Sequence, residues 1–156
     1  MPTINIVAHS SLSPERVLEA AYDFSKRRAE VWPNVSMRHF EVHEQREESA
    51  DVTEGTRAGP IVNWERCRYD WSQPGSVKAT VTDSNVYAVP GSSWEIRATP
   101  TGGGSRVEMI WVRTFRSDRR GRFFGRIFRS AVAKPLFGWD ARRTLKSLER
   151  LEREAS

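Results

Sequence analysis

The stretch at residues 119–151, RRGRFFGRIFRSAVAKPLFGWDARRTLKSLERL, decides the fold. Its apolar residues recur at helical spacing, Phe124, Ile127, Phe128 and Ala131 before Pro135, then Ala141, Leu145, Leu148 and Leu151 after it. One stripe of a long C-terminal helix is therefore built for burial. As a single rod this stretch would run roughly 50 Å, whereas a compact chain of this length has a radius of gyration of about 15 Å. The rod has to break. Pro135 offers no N–H to Ala131 and its ring crowds that carbonyl, Lys134 is pushed out of the α region, and Gly138 follows. The reading is a short basic helix, a kink between 134 and 138, and a final helix of about four turns.

Working outward, residues 105–116 alternate with Val107, Met109, Trp111, Arg113 and Phe115 on one side, and Trp94, Ile96 and Ala98 serve the strand before it. The clearest alternation follows Gly75. There Val77, Ala79, Val81, Asp83, Asn85 and Tyr87 form the inward row and Lys78, Thr80, Thr82 and Ser84 the outward one. Further strands are expected at 35–43, 50–56 and 61–71, with Gln73-Pro74-Gly75, Val89-Pro90-Gly91 and Thr101-Gly102-Gly103-Gly104 at reversals. Within 61–71 the alternation breaks, because Trp64 and Trp71 fall on opposite faces unless a bulge intervenes. Its inner row stays unassigned. At the start, residues 4–8 read as a strand, and Ser13-Pro14-Glu15 supplies a cap, a first-turn proline and an acid for a helix. That helix carries Val17, Leu18, Ala21, Tyr22 and Phe24 and is expected to run to about Arg28.

A sheet with one apolar face and an amphipathic C-terminal helix is satisfied when the sheet wraps the helix. The order strand, helix pair, six strands and long helix resembles the START-like or Bet v1-like (SRPBCC) superfamily, an α+β helix-grip fold with about seven antiparallel strands. More narrowly, Trp64-Glu65-Arg66 through Tyr69-Asp70-Trp71, Val81-Thr82-Asp83-Ser84-Asn85, Pro90-Gly91-Ser92-Ser93-Trp94-Glu95 and the Gly/Arg-rich approach to Leu136-Phe137 look like its bacterial polyketide cyclase/dehydrase branch. The resemblance covers residues 1–156 as one domain. It implies a cavity between sheet and helix for an apolar small molecule, lipid or polyketide-like compound, with no fixed local catalytic motif to carry over.

Composition narrows the function classes. With 38% hydrophobic and 10% aromatic residues, the chain can bury one good core. The single Cys67 forms no internal disulfide, and no signal peptide, 18-residue apolar run or lipidation motif is visible, so a soluble cytoplasmic protein is expected. The net charge of +5 is concentrated in residues 113–146, which carry 11 Lys/Arg against Asp118 and Asp140. No GxSxG elbow, GxGxxG, P-loop, HExxH or nucleic-acid motif occurs, so no cofactor and no nucleic-acid partner is expected. His39, Glu41 and His43 share a strand face, but the two histidines would stand about 13 Å apart, too far for one ion. No metal site is expected.

The residues assigned to the cavity are Asp83, Asn85, Tyr87, Trp94, Trp111, Arg113, Phe124 and Phe128, a ring-lined interior with few polar groups. Asp70, Asp83 and Glu95 qualify for acid/base work only if buried. Three functions follow: binding of an apolar or aromatic ligand; a polyketide aromatase/cyclase or dehydratase, with Arg113 at an enolate oxygen and Tyr87 or Asp83 relaying a proton; or an anionic-surface binder. For the last, Arg119, Arg120, Arg122, Phe123 and Arg126 form the expected membrane contact.

Overall fold

In the computed structural model, which describes residues 2–156, the elements run β1 (Thr3–Ser10), α1 (Pro14–Ala21), α2 (Arg28–Val31), β2 (Val35–Gln45), β3 (Ser49–Ala58), β4 (Ile61–Asp70), β5 (Ser76–Ser84), β6 (Ser93–Thr101), β7 (Gly104–Val112), α3 (Arg119–Arg129) and α4 (Ala133–Ala155). The strands form one antiparallel sheet in the order β1-β7-β6-β5-β4-β3-β2. The first strand thus pairs with the last, leaving β1 and β2 as the edges. This is the helix-grip architecture: a seven-stranded sheet, two short helices after β1, and a long C-terminal helix.

Alternation explains the inner face. Ile4, Ile6 and Ala8 of β1, Val77, Ala79 and Val81 of β5, Trp94, Ile96 and Ala98 of β6, and Val107 and Met109 of β7 are all buried. They meet α1 through Val17 and Ala21 and α4 through Ala133, Ala141 and Leu145. Leu148 closes a smaller cluster with Ala20 and Val31.

Three expectations change. The break in the C-terminal stretch falls at 130–132, before Pro135, so α4 is 23 residues long, about six turns. Pro135 is the third residue of α4, where a backbone N–H has no intrahelical partner and the carbonyl it would crowd lies outside the helix. The stop comes from Ser130, whose backbone is extended and whose hydroxyl and N–H both donate to the Ile127 carbonyl at 2.6 and 3.0 Å. Ala131, expected on the buried stripe, is exposed as a result. The first helix ends at Ala21 rather than near Arg28, because Asp23 Oδ1 accepts from the Ser25 N–H at 3.0 Å and turns the chain.

The third change reverses faces. In β5, Arg66 pairs with Asp83 but Cys67 pairs with Val81, so a bulge lies at Thr82. One extra residue exchanges inside for outside. Ser84 and Val86 are buried, and Asp83, expected inward, is exposed. In β4 the inner row becomes clear as Asn63, Cys67 and Tyr69, with Glu65 between them. Trp64 takes the outer face, and Trp71, just past the strand, stacks on Tyr22 with centroids 4.7 Å apart.

Candidate functional site

β7 and the helices after it place a run of rings between sheet and helix. The Trp111 ring meets Phe137 edge-on at 5.0 Å, Phe137 meets Phe128 at 5.6 Å, Phe128 meets Phe115 at 5.5 Å, and Phe115 meets Tyr87 at 5.5 Å. Trp94 stands beside Trp111 as its cross-strand partner and contacts Trp32 edge-on at 5.4 Å. Helix α3 can lie across this row because Gly121 has no side chain: a Cβ there would come 2.0 Å from the Arg116 carbonyl oxygen. Gly125 in turn seats on the Phe115 ring.

The row ends on charge. The Arg113 guanidinium lies 4.3 Å above the centroid of Tyr87, donates to the Ser93 carbonyl at 3.3 Å, and stands 3.7 Å from Glu65 Oε2. That separation is an ion pair without a hydrogen bond. Although 19% of the Glu65 side chain reaches solvent, its Oε2 is covered and has no hydrogen-bond partner among the described residues. Burial therefore pushes the Glu65 carboxyl above its ordinary range, and Arg113 only partly opposes it. Burial lowers the Arg113 pKa more than any single neighbour raises it, but Glu65 together with Tyr87, Cys67 and Tyr69 outweighs burial and leaves it raised. The Tyr87 hydroxyl is pushed up by burial, with Arg113 opposing, and the Cys67 thiol is pushed well up by burial and by Glu65. The result is a carboxyl, a guanidinium and a phenol facing apolar rings.

A second polar group lies deeper under α1. Arg28 donates to Glu54 through Nε at 2.9 Å and Nη2 at 3.0 Å, to Tyr69 Oη at 3.0 Å, and to the Ala21 and Asp23 carbonyls at 3.0 and 3.2 Å. Tyr69 Oη also donates to Glu54. Burial is the largest influence and opposes the charge on Arg28, but Glu54 and Tyr69, acting through charge and hydrogen bonds together, outweigh it and raise the guanidinium pKa.

Of the residues assigned to the cavity from sequence, Tyr87, Trp94, Trp111, Arg113 and Phe128 are brought together. Phe124 is half-buried and rests edge-on against exposed Phe123 at 5.2 Å, on the outer side of α3. Asn85 is tied to β4, accepting from the Trp64 N–H at 2.9 Å, and Asp83 stays outside beyond the bulge. Asp70 is exposed, and Glu95 pairs with Arg97 at 2.9 Å. Arg120, expected to face a membrane, turns back to the sheet and donates to Asn63 Oδ1 at 2.8 Å. Glu65, Asn63 and Phe137 were not assigned from sequence, and Phe115 only to the inward row of its strand. Cys67 and Tyr69, two buriable side chains two apart, carried the signal for Glu65, since a common face at i and i+2 includes it.

Two surface grooves lie elsewhere. One, about 630 Å³, is lined by Arg38, His39, Phe40, Glu41, Thr53 and Trp64 on the outer face of β2–β4. The other, about 570 Å³, lies between β1 and the start of α4. No group of three or more metal-binding side chains occurs among the described residues, and none of their helices is long and apolar enough to cross a membrane.

Known proteins share this frame. The Zhui aromatase/cyclase from Streptomyces sp. R1128 superposes with a TM-score of 0.80 at 15% identity, covering 99% of this chain and 97% of that one. TTHA0849 from Thermus thermophilus gives 0.75 at 16% identity over 99% of both chains. A START superfamily protein from Mycobacterium smegmatis gives 0.71 at 9% identity, again over 99% of both. No curated protein sequence matches the chain. The family model for polyketide cyclase/dehydrase and lipid transport proteins matches residues 1–152, and the chain belongs to that family.

Proposed function

We propose that the chain, as one START-like domain at residues 1–156, binds an apolar or aromatic small molecule, lipid or polyketide-like, that carries a carbonyl or phenolic oxygen. The observation behind this is the Glu65–Arg113 pair: a covered carboxylate oxygen without a hydrogen bond, beside a guanidinium, at the end of a row of rings. A buried polar atom left unsatisfied in one state is the natural partner for a ligand group in another. The side chains between sheet and helix are already in contact, so a ligand takes the place of Phe128 as α3 swings outward, against Phe137 of α4. The family and the aromatase/cyclase named among the similar structures support the ligand class. We place the protein in the cytoplasm, where a buried lone cysteine such as Cys67 stays reduced. Exposed Phe123 beside Arg119, Arg122 and Arg126 supports peripheral contact with an anionic membrane.

Native mass spectrometry of the purified protein, followed by titration with naphthol, tests the reading. A copurifying apolar mass and naphthol binding weakened by Arg113→Met are expected. The absence of both a bound mass and naphthol binding would sink it.

A second reading, a polyketide aromatase/cyclase or dehydratase, is favoured by Glu65 itself. A carboxyl held above its ordinary range is suited to take a proton next to a ketone, while Arg113 donates to the enolate oxygen that forms. Glu65 thereby replaces Asp83, which stands outside. Turnover of a poly-β-ketone that is lost in Glu65→Gln, with the fold intact, separates this from binding alone.

A further inference from the structure

Among the exposed large apolar side chains of the described residues, three fall at the start of α4: Val132 at 64%, Leu136 at 52% and Trp139 at 53%. Their spacing of four and three puts them in one stripe along the helix. Arg143 follows four residues on, and its guanidinium lies 5.0 Å from the Trp139 ring centroid, holding the indole outward at the solvent surface. About 100° round the helix, Pro135, Gly138 and Arg142 border the groove of about 570 Å³ against Ile6 and Val7 of β1, with Lys134 at its rim. Val7 is itself exposed. Two adjoining faces of α4 thus make one apolar surface with cationic margins.

The charge around it is one-sided. Residues 119–146 hold nine Lys/Arg against Asp140 alone. Asp140 offsets them only in part: it is half-buried, accepts from Asn34 Nδ2 at 2.7 Å, and its charge acts on Arg143. A second copy of the chain on this face would bring two positive surfaces together, and a neutral apolar partner would strip water from the cations with nothing in return. An anionic bilayer satisfies both parts: its headgroups pair with Lys134, Arg142 and Arg143, and Trp139 and Leu136 enter the boundary between headgroups and acyl chains, where indoles are favoured.

We infer that the Val132–Leu136–Trp139 stripe of α4, with the adjoining β1 groove, docks the protein on an anionic lipid bilayer. This surface is separate from the interior ligand site and stands whether or not that site is filled. Phe123 on α3 is at most an accessory to it.

Co-sedimentation of the full chain with phosphatidylcholine vesicles, with and without phosphatidylserine, is the test. Binding to the anionic vesicles is expected at low salt and release at high salt, as the Debye length falls from about 10 Å at 0.1 M to about 3 Å at 1 M. Leu136→Ser/Trp139→Ser should weaken binding by about tenfold or more with an unchanged unfolding midpoint, since both side chains face water. Arg142→Gln/Arg143→Gln should weaken it by about fivefold per charge, while Phe123→Ser has a smaller effect. The inference is overturned by any of four results: no pelleting with anionic vesicles at low salt, equal pelleting with neutral ones, wild-type binding by Leu136→Ser/Trp139→Ser, or a dimer in sedimentation velocity that this variant abolishes.

Discussion

Two guanidinium–carboxylate pairs occupy the interior, and they are finished to different degrees. Arg28 meets Glu54 through two nitrogens, and its remaining donors reach Tyr69 and the carbonyls that end α1. Arg113 meets Glu65 only at 3.7 Å, leaving the carboxylate oxygen without a hydrogen bond. The first pair supplies the hydrogen bonds that the last turn of α1 cannot make for itself, and so locks helix to sheet. The second holds charge in a covered place without using it. A buried ion pair offers little net stability unless its geometry is good, so the loose pair is where the fold leaves room for function and the tight pair is where it does not.

The sharpest way to break that contrast is to truncate each side. Arg28→Met strands the Glu54 carboxylate beneath α1 and should cost about 3 to 5 kcal/mol, read from the denaturant midpoint. A loss below that of an ordinary surface variant would mean the pair is not structural. Leu148→Ala, an apolar truncation in the cluster with Ala20 and Val31, gives the yardstick of about 2 to 5 kcal/mol, against little change for Glu152→Ala.

Glu65→Gln should cost less than Arg28→Met at neutral pH, because the pair it breaks has no hydrogen bond to lose and the amide oxygen still faces Arg113, while changing naphthol affinity. Its pH dependence carries a definite sign. The folded Glu65 carboxyl keeps its proton to higher pH than the ordinary value of 4.5, so between those two values the native state binds more protons than the unfolded one. Stability from this group is present below 4.5 and declines as pH rises through the folded value. The hydrogen bond from Arg66 lowers the Asp51 pKa, giving the opposite trend, with stability lost on acidification. The informative measurement is therefore the difference between wild type and Glu65→Gln, which should turn against wild type from acid to neutral pH. A flat difference would show that Glu65 titrates normally. The smallest effect belongs to Asp83→Asn, within about 0.5 kcal/mol and without influence on binding; a loss of naphthol affinity there would return Asp83 to the site.

Wherever an element keeps one period from end to end, its buried face could be read along the chain. The rows Val77, Ala79, Val81 and Trp94, Ile96, Ala98 came directly from alternation, as did Arg113 from the continuation of Val107 and Met109. Alternation is a count, however, and one inserted residue reverses it. The bulge opposite Arg66 put Asp83 outside and Ser84 inside, and no local feature of Thr82 announces it. The kink was misplaced for a related reason: Pro135 marks a helix boundary equally well from the first turn as from the interior.

By itself the sequence determined the element order, the antiparallel meander, the amphipathic C-terminal helix and the basic α3–α4 region, because periodicity, turn residues and charge are properties of neighbours along a chain. Tertiary structure alone decided which polar groups meet. Arg28 and Glu54 lie 26 positions apart, and Glu65 and Arg113 come from β4 and from the chain just past β7, strands separated in the sheet by β5 and β6. The twist and bulges that carry those side chains toward each other arise from the packing of the whole sheet on its helices, as does the exposure of Val132, Leu136 and Trp139, which share helical spacing with the residues that packing buries.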